Sequence, residues 1–154
     1  MTSESLILIA EDSRDDLSLL LDTFNQGRLA NPVQAVRDGE QVMAYLSGEG
    51  IFSNREKYPV PALLLLDLDL PRKHGLEVLE WIRRQPALTS LRIVVLTSSG
   101  KMQEANRAYQ LGANSFLVKP IDFIDFVRLT QAINGRWLWD NREFAPPTVS
   151  LDSL

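Results

Sequence analysis

Acidic, hydroxyl and lysine side chains stand at the ends of four apolar stretches of the sequence. Glu11 and Asp12 follow the first stretch, Asp67 ends a run of four leucines, Thr97 ends a β-branched run, and Lys119 follows a short apolar run. Three carboxylates brought together repel one another unless a cation joins them, and hard oxygen ligands favour Mg²⁺ or Mn²⁺. A carboxylate nucleophile, a hydroxyl, an ammonium and a divalent cation are what phosphoryl transfer requires. These residue types predict phosphorylation of Asp67.

Short apolar segments alternate with segments of helical periodicity along the chain. The expected strands are residues 6–10, 33–36, the leucine run that starts at 63, 91–97 and 116–118. Five helices are expected: a first with Leu17, Leu20, Leu21 and Phe24 on one face, a second capped by Asp38, a third over 75–85 that buries Leu76, Leu79 and Ile82, a fourth over 101–111, and a fifth capped by Asp122. Strict alternation predicts an α/β fold: a five-stranded, doubly wound parallel sheet with the flavodoxin-like order 2-1-3-4-5 and helices on both faces.

The predicted topology places the chemically capable side chains at one edge of the sheet. Strands 1, 3, 4 and 5 all end there, although their residues are far apart in sequence. Ligands of open α/β sheets bind beyond these carboxyl ends. We therefore expect Glu11, Asp12, Asp67, Thr97 and Lys119 to converge.

Composition excludes several classes of protein. The chain has 154 residues, 45% of them hydrophobic, a formal net charge of -4 and no cysteine. This length predicts one domain, residues 1–135, followed by a tail, residues 136–154, too short for a second domain. The acidic balance argues against nucleic acid as a partner, and the missing cysteines exclude disulfides and thiolate catalysis. With no signal peptide or apolar span in the sequence, we expect a soluble, cytoplasmic protein away from membranes.

Taken together, the motifs closely resemble the receiver domain of two-component response regulators, the CheY-like domain. The resemblance covers roughly residues 6 to 133. It rests on an acid pair, an aspartate four residues before a proline, a following glycine, a threonine, an aromatic residue and a Lys-Pro pair: Glu11, Asp12, Asp67, Pro71, Gly75, Thr97, Phe116, Lys119 and Pro120. The combination is highly specific, although none of its members would be alone.

The resemblance implies a site and a reaction. Asp67 would take a phosphoryl group from a phosphohistidine on a partner histidine kinase. Mg²⁺ would be held by Glu11, Asp12, Asp67 and the backbone carbonyl of Asp69, and Lys119 would neutralise the phosphoryl oxygens. The chain would be a phosphoacceptor that catalyses only its own phosphotransfer and dephosphorylation.

A conformational switch is also implied by the family. Thr97 would hydrogen-bond to the phosphoryl group, and Thr97 and Phe116 would move together on phosphorylation. Their movement would reshape the face formed by the fourth helix, the fifth strand and the fifth helix. The Lys119–Pro120 bond, often cis in this family, would aim the lysine inward.

A more particular resemblance is to the single-domain regulators paired with bacterial phytochrome histidine kinases. It rests on the long loop before the third strand, the Leu-Asp-Leu-Asp-Leu-Pro strand end and the tail that begins Arg-Trp-Leu. Such regulators tend to form homodimers through the face described above. Apolar contacts there could come from Phe123, Phe126, Trp137 and Trp139, or the tail could instead cover the sheet of its own chain.

Two other functions remain open from the sequence. A haloacid-dehalogenase-like phosphatase would use Asp67 as nucleophile and Asp69 as general acid, because the order of Asp67, Thr97 and Lys119 also resembles that family. A receiver-shaped adaptor would bind its partner without phosphorylation. His74, the single histidine, lies in the loop beside the site, where we expect it to be solvated rather than a phosphodonor.

Overall fold

Five strands and four α-helices alternate in the part of the chain that the structure describes. The computed structural model describes residues 6–26, 31–98, 102–119, 121 and 124–125. The strands are β1 (Ile7–Ala10), β2 (Val33–Val36), β3 (Leu63–Asp67), β4 (Arg92–Thr97) and β5 (Ser115–Val118). The helices are α1 (Arg14–Gln26), α2 (Gly39–Ser47), α3 (Gly75–Arg83) and α4 (Met102–Gln110), with short 3-10 turns at Gly50–Phe52 and Pro86–Leu88.

The five strands form one parallel sheet in the order β2-β1-β3-β4-β5, which confirms the predicted fold class. Every strand pair in the sheet is parallel, as short crossover helices require. Asp67 lies beside Leu96 in the register of β3 and β4, and Thr97 lies beside Val118 in that of β4 and β5. The last residues of these strands therefore share one edge of the sheet.

Alternate residues of each strand face opposite sides of the sheet, and both sides are apolar. One side packs on α1 and is called the α1 face; it consists of Ile7, Ile9, Leu20, Phe24, Leu63, Leu65, Val94 and Leu96. The other side packs on α2, α3 and α4 and is called the α3 face; its strand residues include Leu8, Ala10, Leu64, Leu66, Ile93 and Val95. Burial on both faces explains why the central strands are apolar without interruption.

The ends and buried faces of the helices differ in detail from the prediction. Asp38 caps α2 as expected, since its Oδ1 accepts from the backbone N–H of Gln41 at 2.8 Å. Helix α3 ends at Arg83 rather than residue 85. It buries Val78, Leu79 and Ile82, and Leu76 is only partly buried, because Val78 and Ile82 lie one turn apart on the inward stripe.

Arg55 organises the long loop between α2 and β3. Its guanidinium donates to the carbonyls of Tyr45 and Leu46, at the end of α2, and to that of Tyr58. The Tyr45 hydroxyl donates to the carbonyl of Pro59 at 2.9 Å, and burial raises the pKa of Tyr45 to about 12. The loop is thus tied to the carbonyl groups that an α-helix leaves unpaired at its C-terminus.

Several predictions concern residues outside the described part of the chain. These are the helix capped by Asp122, the cis bond before Pro120, the aromatic residues 123, 126, 137 and 139, and the tail. The division into residues 1–135 and 136–154 therefore stays a prediction. In the described residues, no helix combines the length and apolar character that a membrane crossing needs.

Replacing Arg55 with alanine should lower the free energy of unfolding by about 2 kcal/mol. The substitution removes hydrogen bonds from a charged donor to three carbonyl groups, and such bonds contribute about 1.5 to 3 kcal/mol. Urea denaturation followed by circular dichroism would measure the loss. Glu56→Ala, at an exposed neighbouring position, should change stability by no more than about 0.5 kcal/mol. Equal stability of the two variants would contradict the proposed role of Arg55.

Candidate functional site

The ammonium group of Lys119 lies among three carboxylates at the carboxyl edge of the sheet. Its Nζ donates to Oε1 of Glu11 at 2.9 Å, to Oδ2 of Asp16 at 2.8 Å and to Oδ2 of Asp67 at 3.1 Å. Glu11 and Asp67 are buried, whereas 38% of the Asp16 side chain is exposed. Three N–H bonds of one ammonium thus meet three acceptors that come from the ends of β1 and β3 and from the first turn of α1.

Strand alternation explains why these side chains meet. Glu11 continues the series of Ile7 and Ile9 on the α1 face, and Asp67 continues that of Leu63 and Leu65. Lys119 follows Leu117, which also packs against this face. Its backbone N–H donates to the carbonyl of Thr97 at 2.7 Å, which fixes the chain as it leaves β5. Glu11, Asp67 and Lys119 therefore each continue the alternate residues of their strand that face α1. As a result, their charged groups meet on one side of the sheet edge.

Asp12 is not drawn into this cluster. Its side chain is 53% exposed, and its Oδ1 lies 4.0 Å from Nη2 of Arg37. Glu11 and Asp12 are adjacent, and adjacent residues of an extended chain direct their side chains to opposite sides. The expected convergence of all three carboxylates is therefore seen for Glu11 and Asp67 and not for Asp12.

The electrostatics of the cluster depend on burial and on Lys119. Burial raises the pKa of Glu11 to about 7, with the hydrogen bond from Lys119 acting against the shift and the nearby Asp67 adding to it. For Lys119, burial alone would lower the pKa, but hydrogen bonds to Asp16 and Glu11 and the charge of Asp67 outweigh it and hold the pKa above its ordinary value. The lysine is therefore a fixed positive charge.

The backbone beyond β3 holds the other oxygen of Asp67. The N–H of Asp69 donates to Oδ1 of Asp67 at 3.0 Å. The N–H of Gly75, the first residue of α3, donates to the carbonyl of Leu68 at 2.8 Å, and a Cβ at Gly75 would lie 2.6 Å from the Cα of Leu68. Glycine is required by this close approach, which fixes the turn after Asp67.

The Asp69 side chain lies outside the cluster. Asp69 is exposed, and its Oδ2 is 3.5 Å from Oγ of Ser98. What it contributes to Asp67 is the backbone N–H described above. This position does not favour Asp69 as the general acid of a phosphatase, which would have to reach the group bound to Asp67.

Thr97 and Phe116 share the α3 face. Thr97 is fully buried at the end of β4 and has the same parity as Val95, which lies on that face. Phe116 is the register partner of Val95 and packs, partly buried, against the same core. A threonine at the carboxyl edge and an aromatic residue two positions back on the adjacent strand therefore lie on one face of the sheet.

His74 caps helix α3 and is not simply a solvated loop residue. Its Nδ1 accepts from the N–H of Leu76 at 3.1 Å, and Glu77 Oε1 accepts from the N–H of His74 at 3.4 Å. This reciprocal pair is a capping box in which the imidazole takes the usual place of a hydroxyl. His74 is half-buried, and its Nδ1 is engaged in positioning the helix.

The donor set suits a hard divalent cation, although it does not form a closed cage. Within the described ranges, no group of three acidic or histidine side chains stands ready to hold a metal ion. Glu11 and Asp67 nevertheless place two buried carboxylates against one another, and Asp12 directly follows Glu11 in the sequence. An exposed ion pair at 4.0 Å such as that of Asp12 with Arg37 contributes little, so Asp12 can exchange it for a cation.

Asp16 is the member of the cluster that the sequence analysis missed. It lies in the first turn of α1, where acidic residues are common because they favour the helix dipole. Its five-residue separation from Glu11 places it one helical turn beyond the end of β1. That spacing, together with an acid in the first turn, was the available signal. This signal points to Asp16 only when Lys119 is already known to reach α1.

The chain is similar in sequence and in structure to known response regulators. The chain is 35% identical over 133 residues to the response regulator Rcp1 of Synechocystis sp., covering 86% of this chain and 88% of that protein. The structure of the Mn²⁺-bound form of Rcp1 matches 88% of this chain and 96% of its own, with a TM-score of 0.72 and 34% identity.

Two further solved structures that resemble this chain are of phytochrome response regulators. The bacteriophytochrome response regulator RtBRR is 39% identical and matches 97% of this chain and 88% of its own, with a TM-score of 0.80. The phosphorylated cyanobacterial phytochrome response regulator RcpA is 31% identical and matches 94% of this chain and 99% of its own, with a TM-score of 0.72. A model of the response regulator receiver domain matches residues 7–134. The chain belongs to the response regulator receiver family and is related to the phytochrome response regulators.

Proposed function

We propose that this chain is a single-domain response regulator that accepts a phosphoryl group on Asp67 from a partner histidine kinase and signals through protein contacts. The observation that carries the proposal is the placement of the Asp67 carboxylate. It is buried at the edge of the sheet, with one oxygen bound by the N–H of Asp69 and the other by Nζ of Lys119. Both oxygens are oriented by donors, as a nucleophile that must attack in line requires.

The reaction needs no proton from the nucleophile. A carboxylate oxygen of Asp67 attacks the phosphorus of a phosphohistidine, the P–N bond breaks, and its electron pair returns to the imidazole of the donor. The product is an acyl phosphate on Asp67. Attack of water on the phosphorus would later release phosphate and restore the carboxylate. Lys119, which keeps its positive charge, would neutralise a phosphoryl oxygen in either step.

A divalent cation is part of this proposal. Glu11, Asp12 and Asp67 would hold Mg²⁺ or Mn²⁺ with the backbone carbonyl of Asp69, as the resemblance to the family implies. When bound, the cation supplies charge stabilisation for the phosphoryl oxygens. The two buried carboxylates of Glu11 and Asp67, compensated here by a single ammonium, support this assignment.

Transmission from the site is proposed to pass through Thr97 and Phe116. The hydroxyl of Thr97 would bind a phosphoryl oxygen, and the shared α3 face of Thr97 and Phe116 supports a linked movement of the two. Such a movement would shift the equilibrium between two conformations of the surface formed by α4 and β5. A signalling protein with this switch acts through association rather than turnover of a substrate.

We propose that the kinase is of the phytochrome type and that a second copy of this chain binds the α4–β5 surface. The relation to RtBRR and RcpA supports the kinase assignment. On the surface, Met102 and Tyr109 lie seven residues apart on one side of α4, and Val118 lies on β5. These apolar residues are 71%, 49% and 46% exposed, which favours contact with a partner.

Phosphate incorporation should depend on Asp67 and not on the carboxylate of Asp69. In acetyl phosphate and Mg²⁺, the wild type and Asp69→Asn should both form an acyl phosphate, and Asp67→Asn should show only background. Chelation of Mg²⁺ with EDTA should abolish incorporation in every variant, because the charge of the phosphoryl oxygens is then uncompensated. Intact-protein mass spectrometry would measure the product.

Asp69→Asn is the matched control because it removes a carboxylate two residues away and keeps the backbone N–H that Asp67 Oδ1 accepts. Equal incorporation in the wild type and Asp67→Asn would overturn the assignment of the phosphoacceptor. Steady hydrolysis of small phosphate esters that disappears in Asp69→Asn would instead favour the phosphatase. Phosphotransfer from a purified phytochrome kinase would then test the proposed donor.

Charge introduced on the α4–β5 surface should shift the chain toward the monomer. Tyr109→Glu and Val118→Glu place a carboxylate in an apolar contact, where burying it without a partner is unfavourable. Sedimentation equilibrium, with and without acetyl phosphate, should show weaker self-association in both variants than in the wild type. Ile51→Glu, at a 75% exposed position on the 3-10 turn after α2, should associate like the wild type. Identical association of all four proteins would contradict the proposed surface.

A further inference from the structure

Asp16 has the shortest contact with Lys119 and has no place in the proposed reaction. Its Oδ2 is 2.8 Å from Nζ, compared with 2.9 Å for Glu11 and 3.1 Å for Asp67. It belongs neither to the proposed metal ligands nor to the groups that contact phosphate. A partly exposed carboxylate that engages Lys119 therefore needs its own explanation.

The three acceptors of Lys119 differ in what else they must do. Under the proposed function, Glu11 and Asp67 have to turn their oxygens to a divalent cation, and Asp67 also carries the phosphoryl group. The ammonium competes with the cation for both carboxylates, since each is a positive charge seeking the same oxygens. Asp16 is the one acceptor that can keep its bond to Lys119 throughout.

The position of Asp16 is fixed by a short hydrogen-bonded path to Glu11. Ser13 donates its backbone N–H to Oε2 of Glu11 at 3.1 Å, and its hydroxyl accepts from the N–H of Asp16 at 3.2 Å. Ser13 thus joins the end of β1 to the first turn of α1, where a serine side chain commonly accepts from N–H groups. Asp16 is held at the α1 side of Lys119 by the backbone and not by the lysine alone.

We propose that Asp16 is a positioning residue: it holds the Lys119 ammonium toward α1 and so leaves the Glu11 and Asp67 carboxylates available to a divalent cation. The proposal rests on the function proposed above. It assigns Asp16 no contact with the metal or with the phosphoryl group. Asp16 affects the metal and the phosphoryl group only by fixing the position of the Lys119 ammonium.

Loss of Asp16 should weaken Mg²⁺ binding. In Asp16→Asn, the charge that holds Lys119 toward α1 is gone, and the ammonium settles on Glu11 and Asp67. Calorimetric titration should show a dissociation constant for Mg²⁺ that is about tenfold higher than in the wild type. A loss of this size is at the lower end of what is typical when a residue that orients metal ligands is removed. Phosphorylation by acetyl phosphate should slow at limiting Mg²⁺ and recover at saturating Mg²⁺.

Asp15→Asn is the matched control, because it removes the same charge from the neighbouring exposed position in the same helical turn. It should bind Mg²⁺ like the wild type to within a small factor. Asp16→Ala is a second variant that should behave as Asp16→Asn does. Thermal unfolding of the chelated proteins would establish that each variant is folded.

The decisive comparison uses a background without the ammonium. In Lys119→Met, the further change Asp16→Asn should alter Mg²⁺ affinity far less than it does in the wild type, because Asp16 acts through Lys119. Unchanged affinity in Asp16→Asn, an equal loss in Asp15→Asn, or the same loss in the Lys119→Met background would each overturn the proposal. If the wild type binds Mg²⁺ but incorporates no phosphate, the proposed function fails while the titration still decides the role of Asp16.

Discussion

The ammonium of Lys119 is the charge on which the carboxyl edge of this sheet depends. Two carboxylates, from Glu11 and Asp67, are buried beside one another, and such a pair is strongly unfavourable without a compensating cation. Lys119 bridges them and adds Asp16, so that one side chain joins the ends of β1, β3 and β5 to the start of α1. The apolar strands give the sheet its cohesion, but the geometry of the edge follows from this shared contact.

Much of the architecture could be predicted from the sequence because its signals are local. Uninterrupted leucine and β-branched runs indicate strands buried on both faces, and their regular alternation with helical segments indicates a doubly wound parallel sheet. The end of α3 and the residues of its buried stripe were harder to predict, because hydrophobic periodicity near the end of a helix fits two neighbouring choices of buried residue. Leu76 and Val78 differ by two positions, and only packing on the sheet decides between them.

The site was predictable to the extent that it follows from strand ends. Asp67 and Lys119 lie where the topology requires, and strict attention to alternation would also have separated Glu11 from Asp12. Asp16 and the imidazole cap of His74 could not be foreseen in the same way. The role of Asp16 depends on a lysine 103 residues later in the chain. The cap of α3 depends on an imidazole, a side chain that seldom replaces serine or aspartate at the start of a helix.

The alternation of β3 has a consequence for how this chain can vary. Asp67 reaches the α1 face because it lies an even number of positions after Leu63 and Leu65, so the insertion or deletion of one residue within the strand would turn the acid to the opposite face. The connection before β3 enters at the far edge of the sheet and is fastened by Arg55 to α2. Length can therefore change in that connection without disturbing the chemistry, whereas the count of residues between Leu63 and Asp67 is as strict a requirement as the identity of Asp67 itself.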